Sequence, residues 1–142
     1  MTFWQNYLLM KKMEHIGIAV YNLQEASIIY EKLFGETAYK QEEVLSEGVT
    51  VAFFGNGQNK IELLQATNPE SPIAKFIAQK GEGIHHIAFE VEDIAIEITR
   101  LQKEGFIVLN EAPKKGADNK LVAFLHPKST HGVLIELCQE IR

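Results

Sequence analysis

A chain of 142 residues, 46% hydrophobic and 23% charged, has the composition of one globular domain or two small modules sharing a core, and excludes a disordered or fibrous protein. Its net charge of −5 excludes the basic footprint that nonspecific nucleic-acid binding requires, and no stretch reads as a membrane span. The lone cysteine, Cys138, excludes an intramolecular disulfide and fits a reducing compartment, so a cytoplasmic protein is expected.

Residues 1–12 read as an N-terminal extension. Their apolar start is followed, not preceded, by Lys11 and Lys12, which is the wrong order for a secretory signal. A single domain is expected over 13–142, with module one at 13–67. Glu14–Val20 alternates as a strand, with Ile16, Ile18 and Val20 on one face and His15, Gly17 and Ala19 on the other. Asn22, three residues before Glu25, caps a helix whose stripe is Leu23, Ala26, Tyr30, Leu33 and Phe34, ended by Gly35. Strands follow near 37–44, 49–54 and 60–66, the last two joined by a Gly55-Asn-Gly-Gln hairpin.

Ser71-Pro72 then opens a linker helix over 71–81, with Ile73, Phe76 and Ile77 inward. Module two, 84–140, repeats the pattern. A strand over 84–91 has Ile87, Phe89 and Val91 on the helix side, and Asp93 caps a helix with the stripe Ile94, Ile98 and Leu101, stopped by Gly105. Strands near 106–110, 121–126 and 133–139 complete a second βαβββ. Cys138 lies in the last of these and reads as a small buried apolar residue, not a nucleophile.

The repeat carries the chemistry. His15 and His86 occupy the same position in the first strand of each module, and Glu62 and Glu136 the same position in the last, 47 and 50 residues downstream. His85 aligns with Glu14 and is expected to point away. Each glutamate alternates with branched apolar residues, a costly place for a carboxylate without a cation. Two imidazoles and two carboxylates suit five- or six-coordinate Co²⁺, Ni²⁺, Mn²⁺, Zn²⁺ or Mg²⁺, with one or two positions open, and Co²⁺ is the ion expected. Between Ala112 and Gly132, Lys114, Lys115, Lys120 and Lys128 face only Asp118, a local +3 that suggests an anionic partner.

The histidine strand, the Glu-Leu-Leu strand, Gly83-Ile-His-His-Ile-Ala-Phe-Glu-Val-Glu-Asp-Ile, and Phe124-Leu-His-Pro-Lys-Ser-Thr-His-Gly-Val-Leu-Ile-Glu-Leu-Cys-Gln resemble the vicinal oxygen chelate superfamily, and within it the methylmalonyl-CoA epimerases. The resemblance implies an α+β fold of paired βαβββ modules, whose curved, mostly antiparallel mixed sheet cups one divalent ion, with helices outside. It implies an isomerase that moves the C2 proton of an acyl-CoA through an enolate, as a homodimer, with no nucleic-acid or membrane partner. The ion would be held by His15, Glu62, His86 and Glu136. Glu62 and Glu136 would be the two bases, while Lys128, Ser129, Lys114 and Lys115 would meet the substrate's carboxylate or phosphates. Some epimerases carry a catalytic glutamate where this chain has Val51, and some of these have Gln at Glu62. Glu62 is therefore ligand, base or both, with Glu47 as fallback base. His131 stands where glycine is common. A glyoxalase I-type isomerase is the alternative enzyme, with an extradiol dioxygenase fitting less well. A drug-binding protein of the bleomycin-resistance type is the non-catalytic one.

Overall fold

Both modules run β-α-β-β-β, with strands and helices close to where the two hydrophobic periods place them except at 106–110. The computed structural model describes residues 10–55, 59–110 and 112–141. Module one contains β1 (Met10–Ala19), α1 (Leu23–Phe34), β2 (Lys40–Val44), β3 (Val49–Phe54) and β4 (Ile61–Ala66). After α2 (Pro72–Lys80), module two contains β5 (Gly83–Val91), α3 (Ile94–Lys103), β6 (Lys114–Lys115), β7 (Lys120–Leu125) and β8 (Ile135–Glu140). Residues 1–9 of the expected extension, and 56–58 of the expected hairpin, lie outside the described residues. Met10–Lys12, expected in the extension, belong to β1.

The hydrogen-bonded order is β2-β3-β4-β1 in module one and β5-β8-β7-β6 in module two. The pairs β1/β4 and β5/β8 are parallel, and the other ladders within each module are antiparallel, giving the expected mixed α+β pairing. The chain forms two compact units. Among the described residues, one comprises His15–His86 with Gly116–Asp118; the other comprises Met10–Glu14, Ile87–Lys115 and Asn119–Ile141. In the first, Lys40 Nζ holds Asp118 Oδ1 at 3.0 Å and the Asp118 N–H donates to Glu42 Oε1 at 3.0 Å, which fixes the short 116–118 segment. Among the described residues no helix is long and apolar enough to cross a membrane.

The helix caps follow the sequence. Asn22 accepts from the Glu25 N–H, Ser71 from Ile73 and Asp93 from Ile96, each satisfying a first-turn donor that the helix leaves over. In α1, Leu23, Ala26, Tyr30 and Phe34 pack inward with Ala52, Phe54 and Leu63. Leu33 does not: it is 69% exposed, at the edge of the stripe, roughly 100° round the helix from Phe34. In α3, Ile94, Ile98 and Leu101 are inward as expected.

The strand expected at 106–110 is the clearest miss. Val108 makes one isolated bridge to Leu125, and the edge ladder is formed instead by Lys114–Lys115 against Leu121–Val122. Asn110 explains the break, since its Oδ1 accepts the Phe124 N–H at 2.9 Å and so substitutes for a backbone partner. Pro113 follows with no N–H to give.

Candidate metal-binding and catalytic site

Register decides which side chains can meet. In the parallel β1/β4 ladder Gly17 lies opposite Glu62, so His15, two residues before Gly17, shares a face with Glu62. In the parallel β5/β8 ladder Ala88 lies opposite Glu136, and His86 stands two residues before Ala88. The repeat therefore holds in register as well as in sequence. Ile61 and Leu63 turn toward α1 while Leu64 packs with Ala19, Val51, Phe53 and α2, so Glu62 emerges on the face away from α1.

Within the unit that contains His15–His86, the two histidines come together. His15 Nε2 and His86 Nε2 are 3.0 Å apart, with the rings edge-on at an interplanar angle of 85°. His15 Nδ1 is 3.1 Å from Glu62 Oε2. All three residues are buried, and so is Glu136 in the other unit. Burial holds the His86 imidazole well below its usual range, with His15 and His85 adding to the effect; it is therefore neutral near pH 7 and keeps a lone pair to give.

Gly17 makes the close approach possible. A Cβ there would sit 2.1 Å from His86 Cε1 and 2.6 Å from its Nδ1. The side-chain-free position is filled by the His86 ring itself, a signal visible in sequence only as a small residue two positions past His15 on its own face.

His85 departs from expectation. Instead of turning away, it places Nδ1 3.0 Å from His86 Nδ1 and sets its ring edge-on to Phe76, with centroids 5.0 Å apart. Its pKa is pushed down to about 4, first by burial and then by the charge of Lys80. Glu14, 1% exposed, is a second buried titratable side chain that alternation alone does not single out. Val51, also 1% exposed, belongs to the apolar cluster. Glu47 closes a short 3₁₀ turn, Leu45–Glu47, before Gly48 in left-handed conformation.

The basic segment divides. Lys120 is buried, with Glu140 at 3.8 Å, so it does not add to an open positive surface; Lys115 and Lys128 are exposed and Lys114 half-buried. Pro127–Ser129 forms a 3₁₀ turn in which His126 Nδ1 accepts the Lys128 N–H. Ser129 Oγ donates to the His126 carbonyl at 2.9 Å and accepts the Ile107 N–H, so the hydroxyl stabilises the turn. His131 takes φ 54°, the left-handed region that explains why glycine suits this position. Cys138 is fully buried, its Sγ 3.5 Å from the Phe89 carbonyl, as an apolar packing residue.

The donor set fits a divalent ion. Two nitrogens each about 2.1 Å from an ion and at right angles to one another lie about 3.0 Å apart, the separation His15 and His86 show. A carboxylate on the far nitrogen of a ligating histidine is the usual means of fixing its orientation, and Glu62 occupies that place for His15.

Comparison with known proteins identifies the family. The profile of the Glyoxalase/Bleomycin resistance protein/Dioxygenase superfamily matches residues 14–124. The chain is 42% identical over 127 residues to the mitochondrial methylmalonyl-CoA epimerase of Dictyostelium discoideum, covering 89% of this chain and 76% of that one. It is 42% identical over 130 residues to the ethylmalonyl-CoA/methylmalonyl-CoA epimerase of Cereibacter sphaeroides, covering 90% and 97%. The crystal structure of methylmalonyl-CoA epimerase from Mycobacterium tuberculosis superposes with a TM-score of 0.90 at 31% identity, covering 94% and 91%.

Proposed function

Because the chain belongs to the glyoxalase/bleomycin resistance protein/dioxygenase superfamily, we propose that it is a metal-dependent epimerase interconverting the R and S forms of methylmalonyl-CoA. The observation that carries the reading is the buried His15–His86 pair at 3.0 Å, in a chain that relatives named for that activity match over most of its length. A drug-binding member of the superfamily would have no use for two buried imidazoles at ligating separation.

His15 and His86 would hold the ion through Nε2, and Glu136 would join them; the support for Glu136 is its burial and its register opposite Ala88. Glu62 keeps its place in the set through His15. Bound there, a divalent ion would polarise the substrate's thioester carbonyl and stabilise the negative charge that develops on its oxygen, an effect worth on the order of 3–4 kcal/mol. Cobalt is the first candidate. The charges of two carboxylates cancel a +2 ion, so an anionic substrate meets no net repulsion.

The reaction requires one carboxylate to take the C2 proton and another to return a proton to the opposite face. Glu62 and Glu136 are proposed for these roles, with Glu47 in reserve. Lys128, Ser129, Lys114 and Lys115 are proposed to meet the substrate's carboxylate and phosphates. Homodimerisation belongs to the same reading through the family resemblance, and a cytoplasmic site of action through the lone, reduced Cys138.

Incubation with methylmalonyl-CoA in heavy water tests the proposal. Deuterium should enter C2 with inversion, and Glu136→Gln should abolish exchange. A metal-free protein that exchanges C2 at the full rate sinks the metal-dependent reading. A metal-loaded one that exchanges nothing sinks the epimerase.

A further inference from the structure

Each ligating imidazole has two nitrogens, and a metal on one dictates the state of the other. With Nε2 committed, Nδ1 must carry the proton and needs an acceptor, because a buried N–H without one costs stability. For His15 that acceptor is Glu62 Oε2 at 3.1 Å. For His86 the atom in that place is His85 Nδ1 at 3.0 Å. We infer that His85 is a positioning residue: its Nδ1, 3.0 Å away, accepts the His86 Nδ1–H and so presents the His86 Nε2 lone pair to the ion.

Phe76 holds the His85 ring edge-on, with centroids 5.0 Å apart, and α2 in turn seats Phe76 against the apolar cluster of the first module. The two ligands therefore have unlike partners, a carboxylate for His15 and an imidazole for His86. An anionic partner makes its histidine the stronger donor; a neutral partner adds no charge to a site that already holds carboxylates. The inference also specifies a tautomer. His85 must carry its own proton on Nε2, since its Nδ1 accepts, and His86 must carry its proton on Nδ1.

The inference rests on the metal reading above, and zinc separates the two because it binds without redox change and leaves NMR spectra readable. Zinc affinity should fall about 10- to 100-fold in His85→Phe, which keeps a ring against Phe76 but removes the acceptor. In His85→Asn, the side-chain oxygen reaches the place of Nδ1 and should restore most of the affinity. Nitrogen-15 spectra of the zinc-loaded protein should show His86 protonated on Nδ1 and His85 on Nε2. If wild type binds zinc and His85→Phe binds it as tightly, or if the Asn and Phe variants lose affinity equally, the inference is overturned and the metal reading stands. A wild-type protein that takes up no zinc overturns both. Denaturation curves for each variant identify a loss of affinity that comes from misfolding; in that event the tautomers of the wild-type zinc protein decide, and the reverse assignment overturns the inference.

Discussion

Replacing Gly17 by alanine places a single methyl group where the structure has the His86 ring. The added Cβ would lie 2.1 Å from Cε1 and 2.7 Å from Nε2, against an ordinary contact of 3.4–4 Å. The ring must therefore retreat by about 1.3 Å, the difference between the observed and the shortest ordinary contact. Its surroundings resist: His15 lies 3.0 Å from one nitrogen and His85 3.0 Å from the other. Metal ligands tolerate about 0.2 Å of displacement, so a shift of this size removes His86 from the donor set. Overpacking should cost about 1–3 kcal/mol of stability, partly offset by about 0.5–1 kcal/mol from the loss of a strand glycine. Exchange activity should fall at least about 10²-fold, and calorimetric zinc titration should show a matching loss of affinity. The double variant Gly17→Ala/His86→Ala isolates the cause, because alanine at 86 removes the obstructing ring; in that background the added methyl should no longer destabilise. Wild-type zinc affinity in Gly17→Ala would refute the argument, since it would mean that His86 is not fixed over Gly17.

The lowered pKa of His85 has a sign that can be checked. In the unfolded chain it takes a proton as pH falls through about 6.5, whereas in the folded chain it does so only near about 4, so its stabilising contribution is fully present above pH 6.5 and lost progressively toward pH 4. The loss should be on the order of 3 kcal/mol at most, with His86 moving in the same direction; urea denaturation of metal-free wild type and His85→Phe across this range should diverge, and parallel curves would contradict it. Zinc at 100 times its dissociation constant should stabilise the fold by about 2.7 kcal/mol, seen as a shift of the denaturation midpoint that His15→Ala abolishes. Glu62→Gln keeps an acceptor for the His15 Nδ1–H but cannot take up a proton. Lost exchange with retained zinc would make Glu62 a base; retained exchange would leave it only as the partner of His15.

Much of this is readable from spacing, and the exceptions share a cause. Strand faces, helix caps and the matched His and Glu positions follow from periods of two and about 3.6, which depend on local chain geometry alone. Leu33 resembles part of the α1 stripe because it is apolar, but the inward positions are set by where β3 and β4 lie. The 106–110 strand fails because a side chain, Asn110, takes a hydrogen bond that a ladder would have used. His85 escapes alternation for a related reason. Alternation fixes where a Cα–Cβ bond starts, but rotation about the side chain brings its Nδ1 back to His86. Glu62 is legible as a buried carboxylate; that its contact is the outer nitrogen of His15 requires coordinates.

Val51 shows how packing narrows an enzyme's later options. It lies across the β3/β4 ladder from Leu64, in a cluster with Val49, Phe53, Ile73 and Ile77. A glutamate introduced there would have to ionise among hydrocarbon, at a cost of several kcal/mol. Grafting the third-strand base of some epimerases onto this scaffold is therefore not a one-step change. The neighbours would have to become smaller or more polar first, and until they did, the variant would lose folding before it gained chemistry.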